Sequence, residues 1–279
     1  MQKTRILWFA LCLALLSALL PFRSAAEAPE ALRLPIVMYH HISRDPAQWG
    51  TYVVSEEEFE RDLQWLRAHG YETVSVRNLL DWEAGRFDMP EKPCMITFDD
   101  GPRSTMAYAE PLLAKYGFCG VSAVIGSVCQ KFSDNGEADD ELSSMSWEAA
   151  REMAERGTVE VICHTWDMHS LSPRRGCSRR EGESESAYRA ALTRDLSRFL
   201  TAADAHGVLL APAIAYPYGA YSRATTTAAR DFGFQAAFTC EEKVNMLDRS
   251  EGELLRLGRF NRPHGADGAK IFQIWEETS

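Results

Sequence analysis

No two of the seven cysteines form a C-x-x-C pair, which excludes a zinc ribbon and a thioredoxin-type redox centre. No G-x-G-x-x-G follows the first strand-like run, so the usual dinucleotide-binding turn is missing as well. Positive charge is scarce, with 30 Lys and Arg against 40 Asp and Glu. Nucleic acid rewards clustered Lys and Arg, so this acidic chain is a poor partner for it. Such a surface repels anionic polymers and tolerates neutral or cationic ones. Low-complexity tracts are absent, and the apolar run Ile6 to Leu20 is shorter than the roughly 20 residues a spanning helix needs.

That run has its own reading. Lys3 and Arg5 precede it, and Ser24-Ala25-Ala26 offers small residues after it, the order of a secretory signal peptide over residues 1–26. An uncleaved anchor is the alternative, and it is the only membrane attachment expected. The expected location is therefore secreted or extracytoplasmic. Residues 30–279 suit one large domain, since α/β barrels reach this size. Beyond the leader lie Cys94, Cys119, Cys129, Cys163, Cys177 and Cys240, whose pairing the sequence leaves open. Cys94 and Cys163 sit in apolar runs and read as buried thiols.

Short apolar runs alternate with amphipathic stretches. Strands are expected at Pro35–Tyr39, Thr73–Val76, Cys94–Phe98, Val121–Ile125, Val159–Cys163, Ala213–Tyr216, Ala236–Thr239 and Leu255–Phe260. Between them lie helices. One starts at Ser55 with Glu58 completing a capping box, carries Phe59, Leu63 and Leu66 as its apolar stripe, and stops at Gly70. Others span Ser104–Tyr116, Trp147–Arg156, Glu185–Ala205 and Ser222–Phe232. Gln130–Ser144 and the arginine-bearing Ser170–Ser184 read as surface loops. Strand, helix, glycine, strand, so often repeated, implies parallel strands joined by helical crossovers, in a barrel or an open sheet.

Polar residues collect just past four apolar runs: His40-His41, Asp99-Asp100-Gly101-Pro102, His164 through His169, and Tyr216-Pro217-Tyr218-Gly219. In parallel α/β architectures these strand ends share the face on which active sites assemble. Two ionised carboxylates at a buried strand end repel each other unless a cation or proton intervenes. A divalent metal would bind one and leave the other as a base, whereas a helix N-cap is the plainer role for an Asp before Gly-Pro. Two histidines five apart cannot share a helical face, so they need a loop. Two imidazoles and a carboxylate make the open three-ligand set of catalytic zinc. The Pro-Tyr-Gly stretch reads as a turn or as an oxyanion donor.

These residues resemble a known family. Thr97-Phe98-Asp99-Asp100-Gly101-Pro102 is similar to the first motif of the NodB-type polysaccharide deacetylases, carbohydrate esterase family four. His164-Thr165 through His169 resembles the second motif and Pro217-Tyr218-Gly219 the third. Three departures stand out. The histidines are five apart rather than four, a spacing that resembles the poly-N-acetylglucosamine deacetylase branch. No Arg precedes Pro-Tyr-Gly to orient the base. No Leu-x-His closes the chain, and in that branch the acid comes from an N-terminal Tyr-His.

The resemblance implies an α/β fold, a distorted (β/α)7 barrel, one strand fewer than the eight expected. It implies removal of acetyl groups from N-acetylated sugars of an extracellular or cell-wall polysaccharide. It assigns Asp100, His164 and His169 to a divalent metal, zinc first, with cobalt or nickel possible. Asp99 becomes the base, the main-chain N–H of Tyr218 the oxyanion donor, and His40 the acid, with His41 as fallback. Pro217 and Trp166 would touch the sugar. Two other readings are a non-catalytic carbohydrate-binding protein on the same fold and a metallohydrolase acting on another C–N bond.

Overall fold

The computed structural model describes residues 31–136 and 142–277. The leader therefore lies outside the described residues. Among those residues no helix is long and apolar enough to cross a membrane.

The centre is a parallel sheet. In chain order the strands of the fold are β1 (Leu32–Leu34), β2 (Ile36–Tyr39), β3 (His41–Ser43), β4 (Val53–Ser55), β5 (Glu72–Thr73) and β6 (Pro93–Phe98), followed by β7 (Gly120–Val124), β8 (Val159–Cys163), β9 (Leu210–Ala215), β10 (Ala236–Phe238), β11 (Asn245–Leu247) and β12 (Phe260–Asn261); β1 with β11 and β3 with β4 form two small separate sheets. The main path runs β10-β9-β8-β7-β6-β2-β12, seven strands, with β5 attached to β6. This curled parallel sheet with helices around it is the barrel that the motifs imply. The eighth expected strand is β5, which pairs only with Pro93 and Cys94 at the start of β6. Val76, expected to end that strand, instead opens helix α2 (Val76–Glu83), capped by Ser75.

One expected strand is corrected. Leu255–Phe260 is not continuous: Glu253–Arg256 forms a 3-10 turn, Leu257 bridges to Phe238 of β10, and only Phe260 and Asn261 pair with Val37 and Met38 of β2. The segment thus crosses from one end of the sheet to the other and closes the ring. Its bend centres on Gly258, whose N–H and carbonyl are both held by the Asn245 side chain at 2.8 and 3.0 Å. A Cβ at Gly258 would lie 2.5 Å from the Glu241 carbonyl, so the chain can pass there only without a side chain.

Alternate strand residues separate two cores. Ile36, Met95, Val121, Ala123, Ile162, Ala213, Ala236 and Phe238 belong to one cluster, joined by Leu257 of the closing segment. Val37, Ile96, Phe98, Val124, Val161, Cys163 and Ile214 pack with the helices in the other. The period of two in side-chain direction produces both from the same strands.

Helix α1 (Glu56–Ala68) keeps the capping box of Ser55 and Glu58 and buries Phe59, Leu63 and Leu66. The Ser104–Tyr116 stretch is a π-type turn, Thr105–Ala109, running into α3 (Glu110–Tyr116). Helix α4 (Gly126–Asn135) corrects the first part of the expected loop at Gln130–Ser144, of which residues 137–141 lie outside the described residues: it buries Cys129, and its Ser133 hydroxyl accepts from the Trp147 N–H. Helices α5 (Trp147–Arg156) and α6 (Glu185–Ala205) match expectation, and α7 (Arg223–Asp231) follows Ser222 as its cap. The last helix, α8 (Gly268–Glu277), had no clear sequence signal; its Phe272 and Trp275 are buried with α1 in an aromatic cluster.

Candidate active site

Strand register assembles the site. Tyr39 pairs with Phe98, so the next residues, His40 and Asp99, emerge side by side from β2 and β6, and the Asp99 N–H donates to the Tyr39 carbonyl at 3.0 Å. Val124 pairs with Cys163 and Cys163 with Ile214, which sets His164 beside the end of β9. There His164 Nδ1 meets the Ala215 carbonyl at 2.8 Å. A carbonyl only accepts, so Nδ1 carries a proton, and Nε2 of the neutral ring presents a lone pair.

Ligand atoms of Asp100, His164 and His169 lie within 4.8 Å of one another. Asp100 Oδ1 is 3.4 Å from His164 Nε2 and 3.1 Å from His169 Nε2. It is buried and has no hydrogen-bond partner. Ligands at zinc bond lengths of about 2.0–2.2 Å in tetrahedral array sit about 3.3 Å apart, close to these separations. A buried carboxylate oxygen facing an imidazole lone pair is repulsive until a cation stands between them. The donor set therefore fits a divalent metal.

Asp99 has different company. Its two oxygens accept from Arg259 Nη1 and Nη2 at 2.7 and 2.8 Å, a bidentate pair in which the arginine is 0% exposed. Arg259 also donates to the Thr239 carbonyl and the Thr97 hydroxyl. Burial raises the Asp99 pKa, but the Arg259 guanidinium, with His164 and His40, outweighs it and holds the carboxyl below the ordinary range. The sequence search missed Arg259 because it belongs to no motif. Its signal is a charge inside an apolar run, at the bend of the segment that closes the barrel.

His40 is half-buried beside the carboxylates. Burial lowers its pKa below the usual imidazole value, against the opposing pull of Asp99 and Asp100. Its Nδ1 is buried without a hydrogen-bond partner. His41 instead opens β3, paired with Val53, and its N–H goes to the Tyr52 carbonyl.

Backbone strain gathers here. Among the described residues, four non-glycine residues have left-handed φ: Asp100, Thr165, Tyr218 and Arg249. Three of these belong to the motifs, in keeping with the concentration of strained backbone at functional sites. Gly101 follows Asp100 with φ +65°, and a Cβ there would strike Val124 Cγ1 at 2.9 Å. Tyr218, at φ 58°, turns its ring against His169 with centroids 4.5 Å apart, and its hydroxyl lies 3.2 Å from His169 Nδ1. Pro217 is buried in the same turn.

The loop bearing both histidines is fastened by a second residue that the sequence search missed. Asp195 of α6 accepts from the N–H groups of Trp166 and Asp167 at 2.8 and 2.9 Å. A lone acid among the buried Tyr188, Leu192, Leu196 and Phe199 was its available signal. Trp166, for which the sequence left core and rim equally open, lies in the interior: it is 7% exposed and the Arg198 guanidinium covers its ring at 4.3 Å.

A family model described as polysaccharide deacetylase matches residues 87–237, more than half of the chain. The chain belongs to the polysaccharide deacetylase family. YxkH of Bacillus subtilis (strain 168) is 30% identical over 226 residues, covering 81% of this chain and 71% of that protein. The poly-beta-1,6-N-acetyl-D-glucosamine N-deacetylase of Escherichia coli (strain K12) is 29% identical over 140 residues. Those residues are 48% of this chain but only 20% of that longer protein. The solved structure of IcaB from Ammonifex degensii superposes with a TM-score of 0.68 at 26% identity, covering 88% of this chain and 96% of that one. Together these relatives put the deacetylase in the NodB-type, poly-N-acetylglucosamine branch. No arginine precedes Pro-Tyr-Gly in this chain, and the guanidinium that reaches Asp99 comes from Arg259 instead.

Proposed function

We propose that this chain is a metal-dependent N-deacetylase acting on an extracellular polysaccharide built from N-acetylglucosamine. The observation that carries the reading is the division of labour between two adjacent aspartates. Asp100 faces two imidazole nitrogens, while Asp99 is held apart by a buried arginine.

Asp100, His164 and His169 would hold the metal, zinc first, with cobalt and nickel as alternatives because availability decides as much as ligand type. When bound, it would supply a Lewis acid that acidifies water and polarises an acetyl carbonyl. The chain's own residues do the remaining work. Asp99, fixed by both arms of Arg259, takes the proton from the attacking water. The Tyr218 main-chain N–H donates to the developing oxyanion. His40 delivers a proton to the nitrogen, since an amine leaves only once protonated. Pro217 shapes that wall of the cleft. His40 rather than His41 is assigned as the acid because it is the one set beside Asp99 and Asp100.

The non-catalytic reading drew its support from the missing arginine and the missing C-terminal histidine. Arg259 answers the first, and the assignment of His40 as the acid answers the second. The N-terminal segment, residues 1–26, is assigned as a cleaved export signal, with residues 30–279 as the working domain. Sequencing the N-terminus of the exported protein checks this, and a start at Met1 would refute it.

The test of function is acetate release from β-1,6-linked N-acetylglucosamine oligomers after loading with zinc. Release should vanish with a chelator and return on adding the metal back. No release from this or any other acetylated polymer would overturn the reading.

A further inference from the structure

We infer that Tyr52 is the sugar-stacking platform of this cleft, its ring taking the apolar C–H face of a pyranose so that the acetamido group reaches His40 and Asp99. This rests on the saccharide reading above and names the residue that recognises the ring.

The five large apolar side chains exposed among the described residues are Tyr52, Leu171, Leu209, Met246 and Ile274. Tyr52 is the one aromatic in that set, with 58% of its surface open. It is also at the site. Its ring stands 4.8 Å from that of His40, tilted by 59°. Register explains the placement, because His41 pairs with Val53, and His40 and Tyr52 are the residues that precede them on the parallel strands β3 and β4.

The ring is presented by a braced backbone. The Tyr52 carbonyl accepts from the His41 N–H at 2.9 Å, and Gly50 pairs with Val53 while accepting from the His264 N–H at 3.1 Å. Trp49, next to Gly50, donates from Nε1 to the Ser43 carbonyl and packs on His264 at 4.9 Å. An exposed aromatic on a fixed backbone loses little entropy on binding, which is why such residues serve as anchors. The other aromatics of the cleft are committed: Tyr218 packs on His169, and Trp166 is covered by Arg198. A pyranose fits this chemistry because one face is lined with C–H groups and its edge with hydroxyls.

The experiment is calorimetric titration of the zinc-loaded protein with a β-1,6-linked N-acetylglucosamine pentamer, acetate being assayed in the same mixtures. Tyr52→Ala should weaken binding about tenfold, the scale of one lost aromatic contact, and Tyr52→Phe should restore most of it. Saturation-transfer NMR on the unaltered protein should place the strongest transfer on the ring C–H protons of one sugar face. Equal affinity in wild type and Tyr52→Ala, or a Phe variant as weak as the Ala variant, would overturn the platform. Binding that depends on Tyr52 without acetate release would uphold the platform and refute deacetylation. Absence of saccharide binding in the wild type would refute the platform, and acetate release would still judge the deacetylase reading separately.

Discussion

Asp99 and Asp100 are the same amino acid on adjacent positions, and their partners set them in opposite surroundings: a buried guanidinium for Asp99, two imidazoles for Asp100. For Asp100→Asn, the amide replaces a charged ligand by a neutral one; metal content by mass spectrometry should fall at least tenfold, with acetate release lost alongside. For Arg259→Met, the buried Asp99 loses its bidentate cationic partner, and removing one member of a buried pair costs about 3–5 kcal/mol. Thermal unfolding should shift down accordingly. Arg259→Lys keeps a charge but cannot offer the two parallel N–H donors, so it should recover stability better than turnover. A lysine variant with full turnover would show that charge alone suffices at this position.

At the scale of elements, the histidine loop depends on a helix that contributes no ligand. Replacing Asp195 by Ala frees the N–H groups of Trp166 and Asp167, which then lack acceptors in a buried setting. The expected outcome is weaker metal affinity in Asp195→Ala, measured by competition with a chromogenic chelator, and partial recovery in Asp195→Asn. A second charged seam ties α1 to the chain end. Glu58 caps its own helix and also accepts from the His264 ring and the Gly265 N–H, at 2.6 and 2.8 Å. Burial raises its pKa, but the N–H groups of Ser55 and Gly265, with His264 and Arg262, bring it below the ordinary value of 4.5. A carboxyl with a lowered folded pKa stabilises above its unfolded value and loses that contribution as pH falls through the folded one. Unfolding temperature should therefore drop below pH 4.5, and the drop should be shallower in Glu58→Gln.

For the whole molecule, closure of the barrel and completion of the site are one event. The segment that bridges β10 to β2 carries Arg259 at its bend, so Asp99 acquires its partner only when the ring is shut. A chain ending at residue 256 would lack that segment, β12 and α8. It should fail to unfold cooperatively in urea, and should bind no zinc at micromolar concentration. Cooperative unfolding of the shortened chain would separate closure from stability.

Much of this was legible along the chain. The strand ends bearing His40, Asp99-Asp100, His164 and Pro217-Tyr218-Gly219 announced themselves through polar residues following apolar runs. The capping box of Ser55 and Glu58 announced α1. These are local signals, set by side-chain period and by hydrogen bonds reaching three or four residues. Arg259, Asp195 and the burial of Trp166 were decided elsewhere. Arg259 meets Asp99 across 160 residues, Asp195 meets the loop across 28 or 29 residues, and Trp166 disappears beneath an arginine of a distant helix turn. Such contacts depend on how the sheet curls and where its two ends meet. No periodicity in the chain encodes that; packing of the closed barrel does.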